Sequence, residues 1–239
     1  MGISQEKISS VKEIQVLLEQ NSLVSAKEKV RENISHYRNQ KLFDSLYRYI
    51  QFEGSFKLNN GNKKLAISKA EKLLDEIKKK ASAHFIVEAI TEMGWLYDDV
   101  GEHKKAYNLL ETAIPFAKQN KEPKNTDLAG VAYRQGYYAS LTGNFPLAKK
   151  HYQESLRLLK KRGKEDFVFY NQVYNALGGM MWQESKLDST KFYFQEAIKV
   201  LEKTDESDIM NRYYRPAMIK MNLAILWNAL GKKDRKGVV

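Results

Sequence analysis

The stretch MGWLYDDVGEHKKAYNLL, Met93 to Leu110, decides the architecture. It sets a small residue, Gly94, among apolar neighbours, a second glycine, Gly101, seven places later, and Ala106 five places after that. The same intervals recur at Gly54, Gly61 and Ala66, and again at Gly136, Gly143 and Ala148. A degenerate copy reads Gly178, Ser185 and Thr190, a front copy reads Ile14, Asn21 and Ala26, and a last one begins with Ala224 and Gly231. The leading positions 14, 54, 94, 136, 178 and 224 are separated by 40, 40, 42, 42 and 46 residues, a period that belongs to stacked supersecondary units.

Each unit reads as a helical hairpin. Phe85, Ile86, Ala89, Ile90, Met93 and Leu96 follow helical spacing, so the first helix is amphipathic. The glycine seven residues past the marker stands where that helix ends, because glycine takes the left-handed C-terminal conformation without a Cβ clash. In Gly143-Asn144-Phe145-Pro146 the second helix starts at once, with Asn144 or Phe145 as its cap and Pro146 in the first turn, where its missing N–H is not needed. Pro216 plays the same part before Ala217, and Pro123 lies in a polar connection. Pro115 falls inside a second helix and predicts a kink there. Glycine within a helix costs about 1 kcal/mol against alanine, so Gly94, Gly136 and Gly178 call for a packing reason: the close approach of the partner helix near Ala106, Ala148 or Thr190. Leu110, Tyr152 and Phe194 are expected to fill the gap to the next hairpin, with Ala113, Ser155 and Ala197 three places on.

Met93-Gly94 or Leu177-Gly178, then Tyr97, Ala106, Leu110 and Ala113, with Ala148, Tyr152 and Ser155 in the following unit, resembles the tetratricopeptide repeat. The resemblance covers nearly the whole chain and is clearest over 85–203. The period is longer than the 34 residues of that family, as in kinesin-light-chain-like repeats and bacterial peptide-sensing regulators, and the late proline of the family pattern is absent. HEAT repeats share the length but not the small-residue spacing. The expectation is an all-α, right-handed α-solenoid of about 11 helices in one body spanning 1–239, with repeats near 4–40, 41–80, 82–120, 126–162 and 165–204 and a terminal helix over 213–230.

Composition agrees. The 239 residues include 13 Gly, 4 Pro and no Cys, so disulfides and thiolate metal sites are excluded and the balance favours helix. The net charge is +11 and uneven, +3 over residues 1–120 and +8 over 121–239. Such an excess attracts acidic partners through screened, long-range steering. The densest runs, Lys78 to Lys80, Lys160 to Arg162 and Lys232-Lys233, fall where helices are expected to end, opposing the negative end of the helix dipole. No window reaches the roughly 18 apolar residues of a membrane span, and the N-terminus lacks a basic and then apolar leader. A cytoplasmic location is expected, with the periplasm as the alternative should a signal peptide have been removed.

The resemblance implies that the first helix of each pair lines a concave wall where a peptide or protein segment binds. The repeat register then nominates Arg48, Gln51, Trp95, Asp98, Tyr133, Tyr137, Gln172, Asn175, Trp182 and Asn228, together with Thr91, Met218 and Met221. Amides can pair bidentately with a peptide backbone, and Trp and Tyr supply stiff apolar contact. The paired lysines and asparagines of chaperone-tail binders are not reproduced, since Thr91, Trp95, Tyr133 and Tyr137 hold those places. His36, His84, His103 and His151 are scattered, no phosphate-cradling loop occurs, and no nucleophile motif is present, so neither an enzyme nor a bound cofactor or metal is expected. Nucleic-acid binding is disfavoured, because the basic residues are interspersed with acids and no recognition motif appears. The expected function is a protein-interaction scaffold or adaptor, with the sensing region of a larger signalling or transcription-control protein as the alternative. Leu223, Ile225, Leu226, Trp227 and Leu230 make the last helix apolar, so self-association or a downstream domain is expected to cover 213–230.

Overall fold

The computed structural model describes residues 11–119, 127–162, 166–205 and 207–229. Pro123, Leu230, Gly231 and Lys232-Lys233, invoked above, lie outside them. The described residues are helices and turns without strands, and the chain divides into two compact units, Met1–Lys121 and Glu122–Val239. The split falls in the connection after the third repeat.

The first unit holds α1 (Val11–Glu19), α2 (Leu23–Asn39), a 3-10 segment (Phe43–Tyr49), α3 (Ile50–Glu53), α4 (Lys63–Lys80), α5 (Ala83–Asp99), α6 (His103–Glu111) and α7 (Ile114–Gln119). The second holds α8 (Leu128–Leu141), α9 (Phe145–Arg162), α10 (Phe167–Gln183), α11 (Leu187–Leu201), a π-helical segment (Met210–Tyr214) and α12 (Arg215–Ala229). Consecutive helices pack on one another in each unit, most extensively α8 on α9 and α10 on α11. The fold is an all-α array of helical hairpins.

The seven-residue interval has a backbone cause. Asn21, Gly61, Gly101, Gly143 and Ser185 all adopt positive φ, at 58°, 74°, 75°, 77° and 57°. At Gly101 the chain closes a paired turn in which the Glu102 N–H donates to the Tyr97 carbonyl at 2.8 Å and the Gly101 N–H to the Asp98 carbonyl at 2.8 Å. The same two bonds recur around Asn21, Gly143 and Ser185. Five residues later the chain is inside a second helix. Ala26, Ala66, Ala106, Ala148 and Thr190 are all completely buried, and each donates its N–H to the carbonyl four residues back.

Two of the helical marker glycines, Gly136 and Gly178, are notches. A Cβ on Gly136 would lie 2.7 Å from the Tyr152 ring, and one on Gly178 would lie 2.5 Å from the Phe194 ring. These aromatics therefore seat against the opposite helix of their own hairpin, one turn beyond the alanine or threonine expected to take that place. Of the two, Phe194 also reaches the next hairpin, as expected, whereas for Tyr152 the ring that meets the next hairpin is its neighbour Tyr133. Tyr152 meets Tyr133 at 5.6 Å, Tyr133 meets Phe169 of the next hairpin at 5.6 Å, and Phe194 joins a cluster with Tyr174, Ala197, Ile219 and Leu223. One turn away is a buried polar joint that reverses between hairpins. Ser155 Oγ on α9 donates to the Ala129 carbonyl of α8 at 2.8 Å, whereas Asn171 Nδ2 on α10 donates to the Ala197 carbonyl of α11 at 2.8 Å. The positions match at a 42-residue offset.

Two local expectations need adjustment. Gly54 does not sit within a long helix; it caps the four-residue α3, and a Cβ there would collide with Leu96 of α5. The helix stops because buried Asn59 organises the following turn instead. Its Nδ2 donates to the carbonyls of Glu53 and Ser55, both at 2.8 Å, and Lys69 Nζ donates to its Oδ1 at 2.7 Å. At Pro115 the second helix breaks rather than bends: α6 stops at Glu111 and α7 starts at Ile114, since proline cannot donate to the Glu111 carbonyl and its ring crowds that group. Elsewhere Asn144 proves to be the cap of α9, accepting from the Leu147 N–H at 3.2 Å, with Pro146 in the first turn. Lys78 to Lys80 do form the last turn of α4, where Glu76 also accepts from Arg38 of α2.

The adjacent glycines of α10 should respond oppositely to alanine. Gly178→Ala drives a methyl into a ring held on its other sides, so chemical denaturation should show a loss of about 1–3 kcal/mol. Gly179 has no atom within 4 Å of its added Cβ, and Gly179→Ala should raise stability by about 1 kcal/mol. Ser185→Gly, which relieves a left-handed serine, should raise the thermal midpoint through about 0.5–1 kcal/mol, and an unchanged or lower midpoint would contradict that origin.

Candidate functional site

The ten nominated residues divide between the units, Arg48, Gln51, Trp95 and Asp98 in the first and the other six in the second. In the first unit much of the set is engaged in structure. Gln51 Nε2 donates to the Glu92 carbonyl at 2.9 Å, which ties α3 to α5. Asp98 Oδ1 lies 2.8 Å from His103 Nδ1 across the α5–α6 turn. Thr91 is buried and returns its hydroxyl to the Val87 carbonyl at 2.9 Å. Arg48 is exposed, with its guanidinium 5.7 Å from the Tyr47 ring centre, and Trp95 is 41% exposed.

The second unit offers the more coherent face. On α10, Gln172, Asn175, Gly179 and Gln183 follow at intervals of three, four and four, so they share one side of the helix. Asn175 and Gln183 are exposed, Gln172 and Gly179 half-buried, and none of the three amides has a side-chain hydrogen-bond partner among the described residues. Gly179 leaves a shallow gap between them, because nothing approaches within 4 Å of where its Cβ would stand. One turn earlier, Asn171 is buried in the joint with Ala197, so two amides four residues apart have different duties.

On α8, Tyr133 is half-buried between Tyr152 and Phe169, and Tyr137 stacks edge-on against Tyr138 at 5.1 Å. Burial pushes the Tyr133 hydroxyl above its usual range, only partly offset by Arg134 and Arg215, so it stays protonated and able to donate near neutral pH. Trp182 is not free to serve the face. It packs against the cluster formed by Tyr174, Phe194 and Ile219. Asn228 is exposed near the end of α12, in a row with Met218, Met221 and Ile225.

Charge is sorted between the helices. α10 carries no charged residue and α8 only Arg134, while α9 carries Lys149, Lys150, Glu154, Arg157, Lys160, Lys161 and Arg162. Much of the excess charge of the second half is therefore borne by α9 and not by the candidate face. Position-by-position reading overlooked Gly179. The signal was available in the Gly178-Gly179 pair, since only one of two adjacent helical glycines can face the same partner. Among the described residues no group of three or more His, Asp or Glu is placed to hold a metal ion, and no helix is long and apolar enough to cross a membrane.

No family model matches this sequence, and no curated protein matches it. Solved structures do. The chain is similar to the crystal structure of BtubC (BKLC) from P. vanneervenii, with a TM-score of 0.66 and 19% identity over 92% of this chain and 85% of that one. It is also similar to the apo form of the quorum sensor NprR from B. thuringiensis, with a TM-score of 0.54 and 12% identity over 92% of this chain and 70% of that one. At these identities the likeness is one of fold, and it places the chain among helical repeat proteins.

The division of labour on α10 has a direct check. Asn171→Ala leaves the Ala197 carbonyl short of a buried partner and should cost about 1–3 kcal/mol in denaturant unfolding. Asn175→Ala, at the exposed position, should stay within about 0.5 kcal/mol of the unsubstituted chain. Equal losses at both positions would remove the distinction between joint and face.

Proposed function

We propose that this chain is a tetratricopeptide-like protein-interaction module, not an enzyme, whose second unit binds a peptide or extended protein segment on the face made by α8 and α10. The observation that carries the reading is the row Gln172, Asn175 and Gln183, three amides on an uncharged helix face that make no side-chain hydrogen bond among the described residues. Amides on a neutral wall can satisfy a peptide backbone in both directions, because each offers an acceptor oxygen and two donor hydrogens. The protonated Tyr133 hydroxyl and the Tyr137 ring add a donor and a flat apolar contact. Gly179 leaves room for a ligand side chain or backbone to come close to α10. The neutral face favours recognition through hydrogen bonds and shape, with the cations of α9 contributing at longer range.

A second reading, the sensing region of a larger regulatory protein, draws support from the likeness to the quorum sensor NprR. It uses the same face and adds a change of shape on binding, which small-angle scattering with and without a bound peptide would reveal.

Selection of a displayed 12-residue peptide library on the purified chain tests the main reading. Recovered peptides should lose about tenfold or more in affinity with Asn175→Ala combined with Gln172→Ala, as expected for two lost hydrogen bonds. Peptides that bind the double variant as tightly as the original chain would place recognition elsewhere.

A further inference from the structure

Helix α12 buries one side and leaves a regular apolar seam on the other. Ile219 and Leu223 face inward against Tyr174, Phe194 and Ala197. Tyr214, immediately before the helix, and Met218, Met221 and Ile225 are 58%, 49%, 56% and 52% exposed. They follow at intervals of four, three and four, and exposed Asn228 continues the series after three more. That alternation is the seam of a two-stranded helical contact, which repeats every 3.5 residues, and not the broader stripe of a helix facing a globular core. Ala217 and Ala224, beside the seam and both exposed, are small enough to let a second helix come close.

The edges of the seam are charged with one sign. Projected down the helix, Arg215 borders it on one side and Lys220 on the other, and α12 contains no acidic residue. Asp208, whose carboxylate senses Arg215, already bonds Asn211. Lys191 of α11 lies 5.7 Å over the Trp227 ring, adding a third cation beside the helix. A second copy seated here would bring Arg215 and Lys220 against their own counterparts, and a seam about 16 Å long is too short for the roughly 800 Å² per partner of a standard stable interface.

From this we infer that the seam of α12 docks an amphipathic α-helix with acidic flanks, supplied by a partner protein. The inference deepens the proposed function and rests on it for the premise that this side of the unit is a binding wall; by the repeat register Met218, Met221 and Ile225 correspond to Gln172, Asn175 and Gly179 of α10. Methionines suit such a contact because their side chains adapt to different apolar neighbours. The partner's apolar residues interleave with Met218, Met221 and Ile225, and its carboxylates answer Arg215 and Lys220. Binding is weak and reversible, strengthened at low ionic strength.

The test uses a dye-labelled synthetic 18-residue helix with leucines at alternating three- and four-residue intervals and glutamates on both flanks, beside a counterpart with lysines in place of the glutamates. Fluorescence anisotropy with the full chain should show the acidic helix binding about tenfold or more tightly than the basic one, with affinity falling several-fold between about 50 and 200 mM salt. Met218→Glu with Met221→Glu, both exposed and so compatible with folding, should abolish binding while leaving the circular dichroism melt unchanged. Asn175→Ala with Tyr137→Ala should leave it within about twofold, which separates this seam from the α8–α10 face. Absence of binding to the acidic helix, or equal binding of both helices, overturns the inference. So does a dimer seen by sedimentation that the double glutamate variant dissolves, or a preference for anionic lipid vesicles over the helix.

Discussion

A left-handed residue closing the first helix of each hairpin is the constraint on which the rest depends. Asn21, Gly101, Gly143 and Ser185 each allow two backbone bonds to close the helix end and send the chain back. Because that turn has a fixed length, the buried residue five places on arrives at the same point of the hairpin whatever the side chains between. Left-handed backbone costs an ordinary residue roughly 1–2 kcal/mol, which explains why glycine fills three of the five positions and asparagine, which tolerates the region best among the others, fills another. At Gly61 the turn is shifted by one residue. Asn60 is left-handed as well, at 55°, and the Gly61 N–H donates to the Phe56 carbonyl at 2.8 Å, yet Ala66 still enters its helix completely buried.

Given fixed turns, the spacing between the two helices of a hairpin is set by what fits between them. In the second unit a ring enters a glycine notch, Tyr152 at Gly136 and Phe194 at Gly178, and a hydrogen bond closes the contact one turn away. The donor of that bond changes helix between the two hairpins while the pair of positions does not. Geometry, and not side-chain identity, is therefore what repeats. The same arrangement leaves Asn175 and Gln183 exposed on the far side of α10, and there the sequence can vary without loss of the fold.

Local chemistry was legible in the sequence and cross-helix chemistry was not. The left-handed turns, the buried alanines, the cap at Asn144 and the disturbance at Pro115, expected as a kink and found as a break, depend on residues within a few places of one another. Gly54 misled because its role is set by Leu96, more than forty residues away, and by the turn that Asn59 organises. Gln51, Asp98 and Trp182 sit at wall positions by register, but the Glu92 carbonyl, His103 and the Tyr174 cluster claim them. Register predicts the direction a side chain leaves its helix; it does not predict which neighbour lies in that direction.

Within the second unit the exposed side changes character from one first helix to the next. α8 offers tyrosines, α10 amides, and α12 methionines and isoleucine. Each class holds a ligand differently. An amide face discriminates strongly, since a mismatched ligand leaves polar groups without partners on a dehydrated surface, whereas an aliphatic seam rewards apolar area and tolerates many shapes. A ligand touching only α12 is therefore bound with little selectivity beyond charge, and one that reaches α10 must also present its backbone to Asn175 and Gln172. Selectivity then resides in α10 and general stickiness in α12, and the open place at Gly179 is where a ligand can come near enough to α10 for its amides to act.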